Sequence, residues 1–300
     1  MVAAFRWSCG GDGATGRPGT EARGRELMDR SQSAERRDSA IAPLAETRDW
    51  ALFLDIDGTL VELVDDPSAA AIDASTRELL DRLDRHLGGA TAIVSGRTIA
   101  SIDSLFWPTK RRAAGLYGLE VRSQPAEPAP AAVEPAAIAG LATRWNVEFG
   151  CYPGILIERK GPVLSVNTGH DDTLLQLVTR AAERALASLP GQYRIVAGSA
   201  GIELLPLEAH KGDAIRNFMA MAPFALRTPI FIGDGEPDEH AFFVVNRMGG
   251  ISIRVGPGGP THAHFQLDDV AAVKAWLSDP AFPNLETLET SLDPSDRRLA

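Results

Sequence analysis

The sequence is poor in cysteine and has no long hydrophobic run. Its two cysteines, Cys9 and Cys151, are too few for a disulfide framework and form no CxxC motif or Cys/His cluster of the kind that binds zinc. No apolar run approaches the roughly 18–20 residues of a membrane span. The opening segment MVAAFRWSCGG also lacks the continuous apolar core of a signal peptide. We therefore expect a cytoplasmic protein in a reducing compartment.

Positive charge is also in short supply. The 300 residues contain 30 Lys and Arg against 40 Asp and Glu, which gives a net charge of −10 and a pI near 5.1. A surface with this balance repels nucleic acid and anionic membranes, so neither is an expected partner. Small or locally shielded anions are compatible with it.

The length suggests about two domains, at roughly 100–200 residues each. Residues 1–47 are rich in Gly, Arg, Ser and Glu without sustained periodicity, so we expect a disordered N-terminal extension. Met28 is an alternative start that would leave every motif below intact. Residues 283–300 are predicted to be a polar, solvated tail.

Strand and helix patterns alternate in the remaining chain. Four short apolar runs predict buried parallel strands, namely ALFL (51–54), TAIV (91–94), PIFI (229–232) and ISIRV (251–255). Helical stripes separate them, the first with Ser75 and Glu78 as a predicted capping box. The fold class predicted is α/β, with a doubly wound, mainly parallel Rossmann-like core formed by residues 48–120 and 208–282.

The middle of the chain differs from this pattern. Four prolines in QPAEPAPAAVEPAA (124–137) predict an extended connector. A pattern of helix, two strands, helix, two strands then follows. We therefore predict a smaller α/β cap domain, residues 121–207, inserted within the core.

Polar residues stand where the apolar strands end. Asp55 and Asp57 follow the first strand, and side chains two apart in an extended segment point to the same side. Ligands of open α/β sheets bind beyond the carboxyl ends of the strands, so both carboxylates are expected in one crevice. Gly58 permits a sharp turn, and Thr59 offers a hydroxyl or its amide to an anion.

Other strand ends repeat this arrangement. Ser95, Gly96 and Arg97 follow the second strand, Lys211 stands at a predicted helix start, and the PIFI strand leads to two further acids, Asp234 and Asp238. Clustered acids repel one another, and a hard divalent cation, Mg²⁺ above all, relieves that repulsion. The predicted metal ligands are Asp55, Asp57, Asp234 and Asp238.

This set of side chains suits phosphoryl transfer through an aspartyl-phosphate. Asp55 would attack phosphorus, and Asp57 would protonate the leaving alkoxide and later activate water. Ser95 and Lys211 would offset the charge of the transferring group.

The motifs DIDGTL, VSGR, HKGDA and IGDGEPDE resemble, in this order, those of the haloacid dehalogenase superfamily of phosphatases. An insertion between SGR and the lysine resembles the branch that carries an α/β cap. The resemblance implies Mg²⁺-dependent hydrolysis of a small sugar phosphate or similar metabolite. Gly58, Thr59, Gly96 and Arg97 are predicted to bind the substrate, with a surface or salt-bridge role as an equal alternative for Arg97.

Within that branch the chain is most similar to the trehalose-6-phosphate phosphatases. The similarity lies in GLYGLE (115–120), IERKG (157–161), GIELLP (201–206) and VGPGGPTHAHFQLDD (255–269). It implies trehalose 6-phosphate as substrate, sugar hydroxyls bound by Glu158, Lys160 and Glu203, and a synthase as a separate enzyme of the pathway.

The chain departs from this family at three places. Tyr117-Gly118 replaces a His-Gly pair, Gly235 replaces an Asp, and SVNTGHDD lacks a His-Tyr-Arg stretch. One alternative is therefore a phosphatase of a glucosylglycerol or glucosylglycerate phosphate. Another is a non-catalytic phosphoacceptor module, which Asp57, Lys211 and the cap disfavour. It also stays open that Glu158, Lys160 and Glu203 are ordinary charged members of a half-exposed sheet.

Overall fold

The computed structural model describes residues 50–64, 70–128, 132–169, 171–189, 192–198 and 201–290. The predicted extension and the last ten residues of the predicted tail lie outside this range. The helices are α1 (Ala74–His86), α2 (Ile99–Phe106), α3 (Ala136–Glu148), α4 (Asp172–Leu186), α5 (Lys211–Met219), α6 (Glu239–Arg247) and α7 (Val270–Ser278). None of these helices is both long and apolar enough to cross a bilayer.

Within the described residues the strands form two sheets. The first contains β1 (Trp50–Leu54), β2 (Thr91–Val94), β3 (Ala113–Gly115), β4 (Glu120–Arg122), β9 (Thr228–Gly233), β10 (Ile251–Val255), β11 (Phe265–Leu267) and β12 (Glu289–Thr290). The second contains β5 (Leu156–Lys160), β6 (Val163–Asn167), β7 (Tyr193–Gly198) and β8 (Gly201–Pro206).

The first sheet has the order β12-β11-β10-β9-β1-β2-β3-β4. Its six central strands are parallel, and only the edge strands β4 and β12 run antiparallel to their neighbours. β1 therefore lies between β9 and β2, and the carboxyl ends of these three strands share one edge. The predicted doubly wound, mainly parallel core is confirmed.

The central strands are apolar because they are covered on both faces. Every residue of β1 is buried, and the ring of Phe53 packs against the rings of Phe218 and Phe224. α1 buries Leu79, Leu80 and Leu83 against the same core.

Helix α1 begins differently from the sequence prediction. Asp73 caps it by accepting a hydrogen bond from the Thr76 N–H at 2.6 Å, and the Ser75 hydroxyl donates to that same carboxylate. The predicted Ser75–Glu78 capping box is therefore wrong. A carboxylate two residues upstream takes the cap because it can accept both hydrogen bonds.

The second sheet is wholly antiparallel, in the order β5-β6-β8-β7. α3 and α4 pack on it through a separate apolar core that includes Trp145, Val178 and Leu204. This unit lies in the chain between β4 and α5, as predicted for a smaller inserted α/β unit. β4 ends at Arg122, so the first sheet extends two residues past the predicted boundary at 120.

The predicted solvated tail begins later than expected. Leu285 and Leu288 are buried in the main core, and β12 adds an antiparallel edge strand to β11. Charged and polar residues surround the leucines of LETLETSL, which is why the sequence predicts a polar tail there. Two of these leucines, Leu285 and Leu288, nevertheless pack in the core.

Candidate active site

The parallel strands β1, β2 and β9 bring the predicted catalytic residues to one edge of the sheet. Asp55 directly follows β1, Ser95 directly follows β2, and Asp234 directly follows β9. The pairing register places Leu54 beside both Ile93 and Ile232, so the three strands end nearly level. This edge is the one at which open α/β sheets bind ligands.

Lys211 lies buried at the first position of α5, between two carboxylates. Its Nζ is 2.9 Å from an oxygen of Asp55 and 2.7 Å from an oxygen of Asp238. Burial alone would lower the pKa of Lys211, but the charges of Asp238 and Asp55 outweigh burial and raise the pKa above its usual value. The side chain is therefore held as an ammonium ion beside Asp55.

Asp55, Asp234 and Asp238 form an acidic cluster, with one carboxylate oxygen of each within 4.8 Å of the other two. Burial is the main cause that raises the pKa of Asp55 well above its usual value, and the charges of Asp238, Asp234 and Asp57 add to it while Lys211 opposes it. Burial followed by the charge of Asp238 raises the pKa of Asp234 to about 6. A cation among these oxygens would relieve this repulsion.

Two glycines leave space for this cluster. A Cβ atom on Gly58 would lie 2.2 Å from an oxygen of Asp234, and Gly58 has a φ of +75° that favours glycine. A Cβ on Gly233 would lie 2.4 Å from the carboxyl carbon of Asp238. All the donors are carboxylate oxygens, with no nitrogen or sulfur among them, so the described cluster fits a hard divalent cation such as Mg²⁺.

Asp238 also orders the loop after β9. One of its oxygens accepts from Lys211, and the other accepts from the N–H groups of Asp234 and Gly235 at 3.1 and 3.0 Å. Asp238 therefore fixes the backbone that carries Asp234, in addition to its place in the acidic cluster.

Asp57 is not part of that cluster of described acids, and its role as a metal ligand stays a prediction. Both of its carboxylate oxygens accept hydrogen bonds from Arg97, at 2.7 and 2.6 Å. Arg97 itself, predicted to bind substrate, is engaged with Asp57 and with the hydroxyl of Ser101 at 3.4 Å. The spacing of two residues brings Asp57 to the site, but the guanidinium takes its carboxylate.

The predicted phosphate-binding residues lie around these side chains. Ser95 is buried, and its hydroxyl accepts from the Arg97 N–H at 3.2 Å. The buried hydroxyl of Thr59 has no hydrogen-bond partner in the described part of the chain. A buried hydroxyl without a partner is costly, so it is well suited to donate to a ligand oxygen.

The three residues predicted to bind sugar meet on the second sheet. Glu158 and Lys160 lie two apart on β5, and Glu203 lies on β8 beyond the intervening β6. The Nζ of Lys160 is 3.3 Å from Glu158 and 3.1 Å from Glu203. Burial alone would lower the pKa of Lys160, but the charges of Glu203 and Glu158 outweigh burial and raise this pKa above its usual value.

Tyr117 joins the two groups of residues, a role that sequence reasoning missed. It follows β3 on the first sheet, and its hydroxyl donates to Glu203 on the second. The Nζ of Lys211 lies 5.9 Å from the centre of its ring. The sequence did mark Tyr117, but only as a departure from a His-Gly pair.

Known proteins resemble this chain over most of its length. The model of the trehalose-phosphatase family matches residues 53–271. A probable trehalose-phosphate phosphatase of Sinorhizobium fredii is 39% identical over 251 residues, which cover 83% of this chain and 93% of that protein. The trehalose-6-phosphate phosphatase of Escherichia coli is 32% identical over 243 residues, covering 78% of this chain and 89% of the relative.

Solved structures show the same fold. The C-terminal domain of trehalose-6-phosphate phosphatase from C. albicans superposes with a TM-score of 0.68 at 21% identity, over 77% of this chain and 91% of that one. A haloacid dehalogenase-like hydrolase from Bacteroides thetaiotaomicron superposes with a TM-score of 0.56 at 15% identity, over 76% and 98% of the two chains. The family match, the relatives and the fold together show that this chain belongs to the trehalose-phosphatase family, within the haloacid dehalogenase fold.

Proposed function

We propose that the protein is a Mg²⁺-dependent phosphatase that hydrolyses trehalose 6-phosphate to trehalose and inorganic phosphate. The observation that carries the proposal is the contact between Tyr117 and Glu203, which joins a buried Asp55–Lys211 pair to a polar cluster on the second sheet. Hydrolysis of a phosphate monoester with a hydroxyl-rich leaving group needs a nucleophile with a cation beside it and polar groups that bind the hydroxyls. The relatives from S. fredii and E. coli, named as trehalose-phosphate phosphatases, support the choice of sugar.

The first step forms a covalent phosphoenzyme. The carboxylate of Asp55 attacks phosphorus, and the bond between phosphorus and the sugar oxygen breaks as the new bond forms. Asp57 gives its proton to the departing sugar oxygen, which leaves as a neutral alcohol. Arg97 orients Asp57 and, through its two hydrogen bonds, stabilises the carboxylate that this transfer leaves.

The second step restores the enzyme. Asp57, now a carboxylate, takes a proton from water as the water oxygen attacks phosphorus of the aspartyl-phosphate. The bond from phosphorus to Asp55 breaks, which releases inorganic phosphate and regenerates both carboxyl groups in their starting states.

Phosphate oxygens require donors during both steps. The ammonium of Lys211 lies beside Asp55, and the hydroxyls of Ser95 and Thr59 are buried at the same edge of the sheet. Fixed donors in a buried site stabilise the developing charge more than water does.

Asp55, Asp234 and Asp238 are the residues that would hold Mg²⁺. When bound, the ion would neutralise negative charge on the phosphoryl group and the carboxylates around it. Two features support this assignment. Gly58 and Gly233 leave space for the acidic side chains, and all the donor atoms are carboxylate oxygens.

The sugar would be held by Glu158, Lys160 and Glu203. Carboxylates accept hydrogen bonds from sugar hydroxyls, and an ammonium donates to them. Their mutual contacts on β5 and β8 hold them in one place before the substrate arrives, which lowers the entropy lost on binding.

Phosphate release from a panel of monoesters, with Mg²⁺ present, tests the proposal. The panel contains trehalose 6-phosphate, glucosylglycerol phosphate, glucosylglycerate phosphate, glucose 6-phosphate and a small aryl phosphate. We expect the highest kcat/KM for trehalose 6-phosphate, by about 10-fold or more, since contacts to a second sugar ring are made by no other panel member.

Two results would overturn the assignment. A higher kcat/KM for one of the glucosyl phosphates would move the substrate to that class while keeping the chemistry. A phosphorylated Asp55 that is stable, with no phosphate released from any panel member, would instead support a phosphoacceptor module.

A further inference from the structure

The backbone at Leu116 and Tyr117 is hydrogen-bonded to the segment Ser95-Gly96-Arg97. The Tyr117 N–H donates to the carbonyl of Ser95 at 3.0 Å, and the Leu116 N–H donates to the carbonyl of Arg97 at 2.9 Å. Leu116 and Tyr117 also have positive φ values of 47° and 58°, a conformation that non-glycine residues adopt only when their surroundings enforce it. The position of the ring is therefore tied to the predicted phosphate-binding segment.

The ring of Tyr117 fills the space beside Gly96. A Cβ atom on Gly96 would lie 2.5 Å from the phenol oxygen and 2.6 Å from the carbon that bears it. Glycine at this position thus allows an aromatic ring to lie directly against the Ser95-Gly96-Arg97 segment. Tyr117 belongs to an apolar cluster with Val163, Val196 and Leu205 of the second sheet, and its hydroxyl contacts Glu203 there.

The hydroxyl of Tyr117 is a fixed donor to the second sheet. It donates to one oxygen of Glu203, while the other oxygen of Glu203 accepts from Lys160 at 3.1 Å. Tyr117 is only 8% exposed. Burial first, and then the charge of Glu203, raise the pKa of the phenol well above its usual value, so the hydroxyl keeps its proton.

Glu203 keeps acceptor capacity in this arrangement. Two carboxylate oxygens offer about four lone-pair sites, and Tyr117 and Lys160 occupy one on each oxygen. The remaining sites are free for sugar hydroxyls, and their directions are set by the two fixed donors. Rotation of Glu203 away from this orientation would leave the buried phenol without its acceptor.

We propose that Tyr117 is a substrate-positioning residue, which ties Glu203 to the Ser95–Arg97 segment and so sets the distance between bound phosphate and sugar hydroxyls. This inference rests on the proposed sugar-phosphate phosphatase activity. It assigns this tyrosine a part in substrate selection. The phenol acts through Glu203 and takes no part in the chemical step.

The substitution Tyr117→Phe removes the hydroxyl alone and keeps the ring against Gly96. We expect kcat/KM for the sugar phosphate to fall about 10-fold, mainly through KM, because Glu203 loses its fixed donor. Hydrolysis of a small aryl phosphate should fall far less, since it does not reach Glu203. Tyr152→Phe is the matched control, because Tyr152 is partly exposed and packs edge-on against Phe149.

A double-mutant cycle with Glu203→Ala separates positioning from general damage. If Tyr117 acts through Glu203, adding Tyr117→Phe to Glu203→Ala should change kcat/KM for the sugar phosphate less than twofold further. Additive losses, or equal losses on sugar and aryl phosphates with rates normalised to the folded fraction from circular dichroism, would overturn the inference. So would an unchanged KM in Tyr117→Phe.

The cycle is run with whichever sugar phosphate the wild type hydrolyses fastest. A wild type inactive on trehalose 6-phosphate but active on another sugar phosphate would count against the proposed substrate only. A Tyr117→Phe variant with unchanged discrimination between sugar and aryl phosphates would count against the positioning role only.

Discussion

The guanidinium of Arg97 donates to both carboxylate oxygens of Asp57, from Nε at 2.7 Å and from Nη2 at 2.6 Å. The two residues are 40 positions apart and follow different strands, β1 and β2. Such a two-point contact fixes the plane of the carboxylate as well as its position. Arg97 therefore orients the proposed general acid of the reaction.

The first prediction concerns this pair. Arg97→Met should lower kcat about 10- to 100-fold, because positioned acid–base catalysis contributes about 10²–10⁴-fold and part of it depends on orientation. Steady-state kinetics with Arg216→Met as control would check it, since Arg216 pairs with Asp213 on the exposed face of α5. A loss confined to KM would instead favour the substrate-binding role that the sequence predicted for Arg97.

The second prediction concerns the nucleophile. Asp55→Asn should abolish steady turnover, since an amide is nearly isosteric with the carboxylate but a poor nucleophile. The fold should persist because Lys211 keeps its contact with Asp238 at 2.7 Å. Phosphate release and thermal melting would be measured together. Substantial steady hydrolysis by a folded Asp55→Asn protein is incompatible with the covalent mechanism.

Much of the core site could be predicted from the sequence for a simple geometric reason. Buried parallel strands appear as short apolar runs, and their carboxyl ends meet at one edge. Polar residues that follow such runs are therefore brought together whatever the details of packing. Asp55, Ser95 and Asp234 were found in this way, since each directly follows a strand of the first sheet.

The contacts that were missed depend on side chains distant in sequence. The spacing of Asp57 from Asp55 shows that both reach the site, but not that Arg97 takes the carboxylate of Asp57. The hydrogen bond from Tyr117 to Glu203 spans 86 positions and joins two sheets. No local pattern encodes such a contact, because it depends on how the second sheet packs against the first.

The third prediction tests the proposed metal site through a glycine. Gly58→Ala should abolish Mg²⁺-dependent activity and weaken Mg²⁺ binding, because the added Cβ would lie 2.2 Å from an oxygen of Asp234. Gly249→Ala is a matched control, since Gly249 has a similar φ of +71° but no atom within 4 Å of the added Cβ. Both variants carry a backbone strain of roughly 1–2 kcal/mol, so only the effect on Asp234 differs.

Isothermal titration calorimetry with Mg²⁺ would measure binding apart from turnover. Chelation should remove wild-type activity, and added Mg²⁺ should restore it. If Gly58→Ala and Gly249→Ala bind Mg²⁺ equally well, the space between Gly58 and Asp234 is not part of a metal site. Full wild-type activity after thorough chelation would exclude the metal requirement altogether.

The last prediction concerns the polar cluster on the second sheet. Alanine at Glu158, Lys160 or Glu203 should lower kcat/KM for trehalose 6-phosphate about 10-fold or more, the equivalent of roughly 1–3 kcal/mol for a lost polar contact. The reason is that contacts remote from phosphorus align the phosphate with Asp55. Hydrolysis of a small aryl phosphate, which does not extend to this sheet, should change far less.

Glu183→Ala provides the matched control for these three variants, because Glu183 lies exposed on α4 of the same unit. Equal losses on the sugar and aryl phosphates would show damage to the fold or to the chemical step. Unchanged kinetics in all three variants would mean that Glu158, Lys160 and Glu203 are ordinary charged residues of a half-exposed sheet. Lys160→Ala is the most informative of the three, because it removes the ammonium that holds both carboxylates, at 3.3 and 3.1 Å, and should lower sugar affinity more than Glu158→Ala does.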